Sequence, residues 1–572
     1  MCGIFYYDAV GSSRIPMHVL AALQQNFAKL SHRGPDNSRF IVNGQRCIGF
    51  HRLAINGLTP AGDQPFSLMG CELVCNGEIY NHVALIEKHG LNCASGSDCE
   101  VIIHLYKLFN GDMCATLREL DGVFSLVLVD RERDRVHVAR DPFGVRSLYI
   151  GSSSDYESDI SVASEMKALQ HCDHVEQFPG GCCMTLSKTN KTFETRLQSY
   201  YPKLTVDETQ DVPFNYNFGT ASFGDDVNAP PEQLEMRACA SVRELFEAAV
   251  CKRLMSERPV GCLLSGGLDS SIVTALVVKH SPGVVVNTYA VGLEGSVDLK
   301  WARRVSEYLG TRHHEVCLTE QQFLDAIDAT IYQIESYDTT TVRASVGNYL
   351  VSQYIYNNTD NVVIFCGDMS DEIFGSYRGF TKAPSDHAFA QENGRMVRDV
   401  RYFDLLRSDK SISGTGLEAR VPFADKAFLE FVMSLPPWMK RFGEGADYAV
   451  EKHLLRTAFA GLLPEDVMWR RKEAFSDGVS GHDRTWVQII QEYMDKRVSS
   501  TEFSIANDLH KFKHNAPYDK ESYYYRTVFA QCFTGKGRAE TIPYFWRHPF
   551  CKGTLDPSAR LLKGIYVAGE QG

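Results

Sequence analysis

The sequence predicts two domains of different class, an α+β unit followed by an α/β unit, and three observations carry that prediction. Up to about residue 201 apolar residues alternate in short runs, CGIFYY, CIGFHRLAI, ELVCNGEIY, VFSLVLVD and VHVAR, separated by Gly, Asp and Asn turns, which is the pattern of half-buried antiparallel strands. Residues 205–235 are acidic and rich in Asn, Gly and Pro, and read as a linker between domain 1–204 and domain 236–572. Beyond it the buried run PVGCLLS, a glycine turn, the helical SSIVTALVVKH and the run VVVNTYAVGL follow in the strand–loop–helix–strand order of a parallel sheet. A chain of 572 residues is also too long for one ordinary core.

Within the first unit, MHVLAALQQNFAKL and CEVIIHLYKLF carry apolar residues three and four apart and predict helices packed on the strands. Within the second, CASVRELFEAAVCKRL predicts a helix and the segment beyond Ala383 is mainly helical. A formal net charge of -12 argues against a nucleic-acid partner, which needs a basic face, and no apolar run reaches the length of a membrane span. The 17 cysteines lack paired CxxC spacing, and the start MCGIFYYDAV lacks the basic and apolar regions of a secretory signal, so the expected setting is a reducing cytoplasm with free thiols.

Cys2 follows the initiator Met1, and its side chain is small enough for Met1 to be trimmed. It would then carry a thiol nucleophile and, in its own α-amine, a base with a pKa of about 7.7 to 8.0. Arg52, in HRLAI, offers a planar fork for an α-carboxylate. Asn76 and Gly77, in CNGEIYN, place a side-chain amide beside a backbone N–H, a pair able to receive an oxyanion. Glu78 follows, and Asp98 in GSDCE is a carboxylate able to hold an α-ammonium group. Together these groups can read an amino acid at both ends and attack its side-chain amide.

MCGI, SHRGPD, HRLAI, NGEIYN, SGSDCE and ARDPFGVRSLY resemble, in order, the class II glutamine amidotransferase domain of N-terminal-nucleophile (αββα sandwich) fold. The resemblance implies that Cys2 forms a glutamyl thioester and releases ammonia, with Asn76 and Gly77 as the oxyanion hole. It places glutamine against Arg52, the backbone of Leu53, Ala54, Ile55 and Asn56, and the carboxylates of Glu78 and Asp98.

In the second unit LLSGGLDSS, residues 263–271, follows a buried strand and opens a helix. Gly266 and Gly267 allow close approach of backbone to phosphate, and Ser265, Ser270 and Ser271 add donors. The segment lacks the GK[ST] ending of a Walker loop and matches the SGGxDS loop used where ATP is split to AMP and pyrophosphate. A second acidic loop, CGDMSDEIFGSY, follows NVVIF, and Asp269 and Asp371 are hard oxygen donors suited to Mg²⁺, with Asp368 and Glu372 close by.

This loop joined to an amidotransferase domain resembles the asparagine synthetase family over essentially the full chain, with ESYDTTTVRAS, GLEARVPFADK and RRKEAFSDGV as further matches. The resemblance implies ATP contacts from Leu264, Val291, Cys366 and Gly367 as well as the first loop. It also implies aspartate contacts from Thr340, Thr341, Arg343 and Asp404, with Arg343 taking a carboxylate, and a charge-offsetting Lys472. The implied chemistry activates aspartate as β-aspartyl-AMP, which ammonia from Cys2 converts to asparagine through an internal passage, and a homodimer is an assembly it allows. The chain departs from the family's usual SGEGSDE: Cys366 stands for Ser, Asp368 for Glu and Met369 for Gly. Asp368 reaches about 1.5 Å less than Glu, enough to slow activation. The rival acceptors, a sugar phosphate or phosphoribosyl diphosphate, have no use for SGGLDSS, and β-lactam-forming relatives often lack the Cys.

Overall fold

A computed structural model describes residues 1–10, 14–153, 158–189, 192–201 and 229–551. Most of the expected linker lies outside these residues, but the helix Pro231–Lys252 begins inside the expected 205–235 span, so the second unit starts earlier than residue 236. Pro231 sits in the first helical turn, where its missing N–H has no partner to lose and its fixed φ suits the helix.

The first unit is two six-stranded antiparallel sheets. One runs His174–Gln177, Tyr149–Ser152, Asp159–Ala163, Gly3–Ala9, Arg46–Arg52, Asn37–Asn43; the other runs Phe193–Ser199, Cys182–Lys188, Arg135–Arg140, Gly122–Asp130, Cys71–Ile79, Phe66–Leu68. Strand alternation decides what lies between them. Ile4, Tyr6, Ile48 and Phe50 of the first sheet meet Val74, Val127, Val129, Val136 and Val138 of the second in one buried cluster. Their neighbours along the strands, Phe5, Leu73, Leu126 and Leu128, turn outward into a second cluster with Phe27 of helix Met17–Ala28 and with Ile102 and Leu105 of helix Val101–Leu108. The result is the four-layer αββα sandwich.

The second unit is built on a five-stranded parallel sheet in the order Arg312–Leu318, Asn287–Leu293, Val260–Leu263, Val363–Phe365, Glu418–Arg420. Strand order reverses between Val260–Leu263 and Val363–Phe365, and both acidic loops leave the C-terminal ends of these two strands, where Cys262 pairs with Phe365. A crevice at such a reversal is the standard place for a ligand in an open α/β sheet. Gly266 turns with φ +72°, and a Cβ there would lie 2.3 Å from the Trp301 carbonyl carbon, so the first loop admits no larger residue. Among the described residues no helix is long and apolar enough to cross a membrane.

The second loop turns through Met369, whose φ of 77° is left-handed, just ahead of the short helix Ser370–Phe374. This is the position where the family pattern has glycine. A side chain in that conformation costs about 1–2 kcal/mol, and Met369 offsets the cost by burying its side chain in the main apolar cluster, leaving 1% exposed. Met369→Ala keeps the strained backbone and loses the burial, so it should destabilise by about 2–5 kcal/mol. Met369→Gly loses the burial but relieves the backbone, and its melting temperature is expected above that of Met369→Ala, by about 1 kcal/mol of stability. The two melting curves check that order.

Candidate active sites

The first site forms where Cys2, ahead of the strand Gly3–Ala9, comes up against the end of the strand Arg46–Arg52. The Leu53 N–H points at Cys2 Sγ at 3.4 Å, and the thiol in turn lies 3.7 Å from the Leu53 carbonyl oxygen. Arg33 Nε donates to the Cys2 carbonyl at 2.9 Å and holds the residue in place. Burial pushes the Cys2 thiol up to about 11 while Met1 is attached, and burial draws the Met1 amine down to about 6, where it donates to the Leu417 carbonyl at 3.1 Å. In this form the Cys2 nitrogen is a peptide nitrogen and cannot serve as a base.

Asn76 and Gly77 lie on the strand Cys71–Ile79. Asn76 is fully buried, yet neither its amide nitrogen nor its oxygen has a protein partner. Buried polar atoms are usually satisfied, and the Asn76 amide, open beside Gly77, is free to donate to a ligand. Gly77 is required: a Cβ would stand 2.0 Å from the Val123 carbonyl oxygen. Glu78 accepts from Asn56 Nδ2 at 2.7 Å and lies 3.4 Å from Arg420 of the second unit; burial holds its carboxyl well above the ordinary range. Asp98 accepts from the Ile79 N–H at 2.6 Å, and burial raises it as well.

The predicted glutamine-reading groups are thus adjacent, but several are already engaged. Arg52 is not an open fork: Nη1 donates to Asp63 at 2.7 Å and to the Thr59 carbonyl at 2.9 Å, and Nη2 to the Gly57 carbonyl at 2.5 Å. The Ala54 N–H is taken by Asp36 at 2.8 Å, and the Ile55 carbonyl accepts from the Glu257 N–H at 3.0 Å.

The second site is a cavity at the sheet reversal. Leu264, Ser265, Gly267, Asp269, Ser270, Val291, Thr340, Cys366, Gly367, Asp368, Asp371, Asp404 and Lys472 line it. Four predicted residues stand elsewhere, each for a visible reason. Gly266 packs on Trp301, and Ser271 points its hydroxyl into a buried place without a partner. Thr341 is engaged by the Asp338 cap of its helix, donating from backbone and hydroxyl to that carboxylate at 2.9 and 2.8 Å. Arg343, 2% exposed, closes its fork on Glu521 at 2.8 and 2.6 Å, so it is not available as the carboxylate partner expected of it.

Lys452, which sequence reasoning missed, stands between the two metal candidates, its ammonium 2.6 Å from both Asp269 and Asp371. Lys472 also pairs with Asp371. Burial alone would raise the Asp371 carboxyl, but these two ammonium groups outweigh it and hold it far below the usual carboxylate range. Two hard carboxylates converging on one cation form a donor set that fits a small divalent ion. Asp368 is held by Arg407 at 2.6 Å and by the Ser408 hydroxyl. Arg407 also pairs with Asp404 at 3.2 Å; the Asp-x-x-Arg spacing was the only signal available for it, since nothing in AVEKHLL marks Lys452.

The helix Asp404–Ser413 joins the two sites. Arg407 and Ser408 grip Asp368 on its synthetase side, while Asp409 faces the first unit, 3.3 Å from Arg33 and 2.8 Å from the Ser147 hydroxyl. Arg33 and Arg146, both fully buried, pair across this boundary with Asp409 and Glu418.

A family model described as a glutamine amidotransferase domain matches residues 1–194, and one described as asparagine synthase matches residues 241–392 and 381–548. Proteins named asparagine synthetase (glutamine-hydrolyzing) from Cricetulus griseus and Homo sapiens are each 39% identical to this chain, with 98% of both chains covered. The protein of that name from Gallus gallus is 38% identical over 98% of this chain and 99% of its own.

Proposed function

This chain belongs to the family of glutamine-hydrolysing asparagine synthetases, and on that premise we propose how its chemistry is divided between Cys2 and the paired acidic loops. The enzyme makes L-asparagine from L-aspartate, with ATP as the energy source and L-glutamine as the nitrogen donor. The observation that carries the assignment of the first site is the buried, unpartnered amide of Asn76 beside Gly77.

With Met1 removed, the α-amine of Cys2 takes the thiol proton and the thiolate attacks the side-chain amide carbon of glutamine. The oxyanion is received by the buried Asn76 amide and the Gly77 N–H, donors already in place, so little need reorganise as charge develops. Collapse returns the proton to the departing nitrogen, releasing ammonia and leaving a glutamyl thioester, which water hydrolyses to glutamate and free Cys2. Glutamine's α-carboxylate competes with Asp63 for Arg52; Asp63 meanwhile keeps a counter-charge in Arg39 at 3.2 Å and a hydrogen bond from Asn37 at 2.5 Å. Glu78 and Asp98 take the α-ammonium.

At the second site the aspartate side-chain carboxylate attacks the α-phosphate of ATP, expelling pyrophosphate and forming β-aspartyl-AMP; ammonia then displaces AMP. Ser265, Gly267, Asp269 and Ser270 cradle the phosphates, and Lys472 offsets negative charge as it builds. Asp269 and Asp371 would hold Mg²⁺, which when bound supplies neutralisation of phosphate oxygens. Thr340, whose buried hydroxyl lacks a partner, and Asp404 face the aspartate end, while Thr341 and Arg343 shape the wall behind it. Ammonia passes between sites inside the protein, because in water near neutral pH it is captured as ammonium. All 17 cysteines are free thiols, which supports a reducing cytoplasmic setting.

Incubation with aspartate, glutamine and MgATP is expected to yield asparagine, glutamate, AMP and pyrophosphate; formation of ADP would refute the second-site chemistry. Cys2→Ala should abolish glutamine-dependent synthesis and retain synthesis from ammonium salts, and loss of both in a folded variant would sink the two-site division. Protein in which Met1 is retained should hydrolyse glutamine at least about 100-fold more slowly at neutral pH, because the thiol, held near 11, is almost wholly protonated; intact mass paired with a glutaminase assay checks this. Asp368→Asn removes the charge that Arg407 and Ser408 orient, and aspartate-dependent pyrophosphate release should fall by about tenfold to 100-fold. An unchanged rate excludes Asp368 from activation.

A further inference from the structure

Among the described residues one set of three metal-ligating side chains lies outside both sites: Cys93, Glu100 and His104, whose Sγ, carboxylate oxygen and ring nitrogen are all within 4.8 Å of one another. Glu100 ends the 3₁₀ turn Asp98–Glu100, and His104 sits four residues on in the helix Val101–Leu108, so both project from one face. Cys93 reaches them from the loop that precedes the turn.

Glu100 is buried and accepts from the Ala94 N–H at 3.0 Å and the Ser95 N–H at 2.6 Å, while His104 Nε2 lies 3.3 Å from Glu100 Oε1. Those bonds explain Glu100 and His104 as supports of the loop, but they give no reason for a thiol at the third corner. A tetrahedral zinc ion, with bonds of about 2.0–2.3 Å, wants donor separations of about 3.3–3.7 Å. The His104–Glu100 pair already has that spacing, and the thiol, within 4.8 Å of both, needs to close by at most about an ångström. One sulfur, one nitrogen and one oxygen form a borderline-soft donor set with a fourth position open to water.

We propose that Cys93, Glu100 and His104 bind a divalent zinc-like cation that staples the segment ahead of Asp98 to the helix behind it. Binding exchanges metal-bound water for the three side chains and sends the Cys93 thiol proton to solvent as the sulfur–metal bond forms; no electron is transferred. Because the thiol must lose its proton to bind the ion, occupancy rises with pH through competition with that proton. That the stapled segment adjoins a glutamine-binding residue rests on the assignment of Asp98 above; the cation binding itself does not.

Titration of the full chain with Co²⁺ alone tests the site, since thiolate–cobalt charge-transfer and tetrahedral d–d absorption report sulfur ligation directly. The expected result is one equivalent of such absorption, displaced by Zn²⁺, absent in Cys93→Ser and weakened at least about tenfold in affinity in His104→Gln. Absorption undiminished in Cys93→Ser, or no thiolate band in the parent chain, overturns the site. Hydrogen exchange of residues 91–97 is expected to slow with Zn²⁺ in the parent and not in Cys93→Ser; exchange that zinc leaves unchanged overturns the staple. Both variants should retain ammonia-dependent synthesis, which verifies that they fold.

Discussion

The arrangement depends on one buried guanidinium. Arg33, with no exposed surface, donates to the Cys2 carbonyl at 2.9 Å, to Glu165 at 2.7 Å, to the Ser413 hydroxyl at 3.0 Å and to Asp409 at 3.3 Å. It thereby fixes the Cys2 backbone, one wall of the first unit, and the middle and C-terminal end of the helix that reaches the second. Charges so deeply buried add little net stability, because desolvation consumes most of the attraction. They do punish any other docking of the two units, since a shift would leave a guanidinium or carboxylate buried and unpaired. Lys410, paired with Glu335 and donating to the Tyr149 hydroxyl at 2.6 Å, repeats the device on the same helix.

That helix makes chemical coupling between the sites a matter of short distances. Neighbouring residues on a helix point about 100° apart, so Arg407 and Ser408 can hold Asp368 while Asp409 and Lys410 hold the amidotransferase unit. Through Arg33 and Asp409 the helix therefore links the backbone of Cys2 to the loop that carries Asp368. The acceptor cavity is itself kept from electrostatic collapse by Lys452 and Lys472, without which Asp269 and Asp371 would repel across the sheet reversal.

Much of this was legible in the sequence because it depends on local pattern. Strand alternation put Tyr6, Val74 and Val127 on one face and Phe5 and Leu73 on the other, and the SGGLDSS segment could only open a helix after a buried strand. Asn76 with Gly77 and Asp269 with Asp371 were recognisable as residue types. Less legible was whether a candidate side chain would be available. Arg52 and Arg343 carry the right group, yet their forks are closed on Asp63 and Glu521, partners 11 and 178 residues away. The linker boundary also moved, since Pro231 reads as a breaker in composition but acts as a helix starter once it occupies the first turn.

By itself the sequence determined the family and the two fold classes, and it singled out Cys2 and the two acidic loops as candidates, because each is written in residue type and short spacing. Tertiary structure alone decided which charges meet. It placed Lys452 between Asp269 and Asp371, set Arg407 against Asp368, drew Arg33 to Cys2 and Asp409, and left Asn76 without a partner. The physical reason is that ion pairing and desolvation act over a few ångströms of space whatever the separation along the chain, whereas hydrophobic periodicity and turn chemistry act along the chain itself.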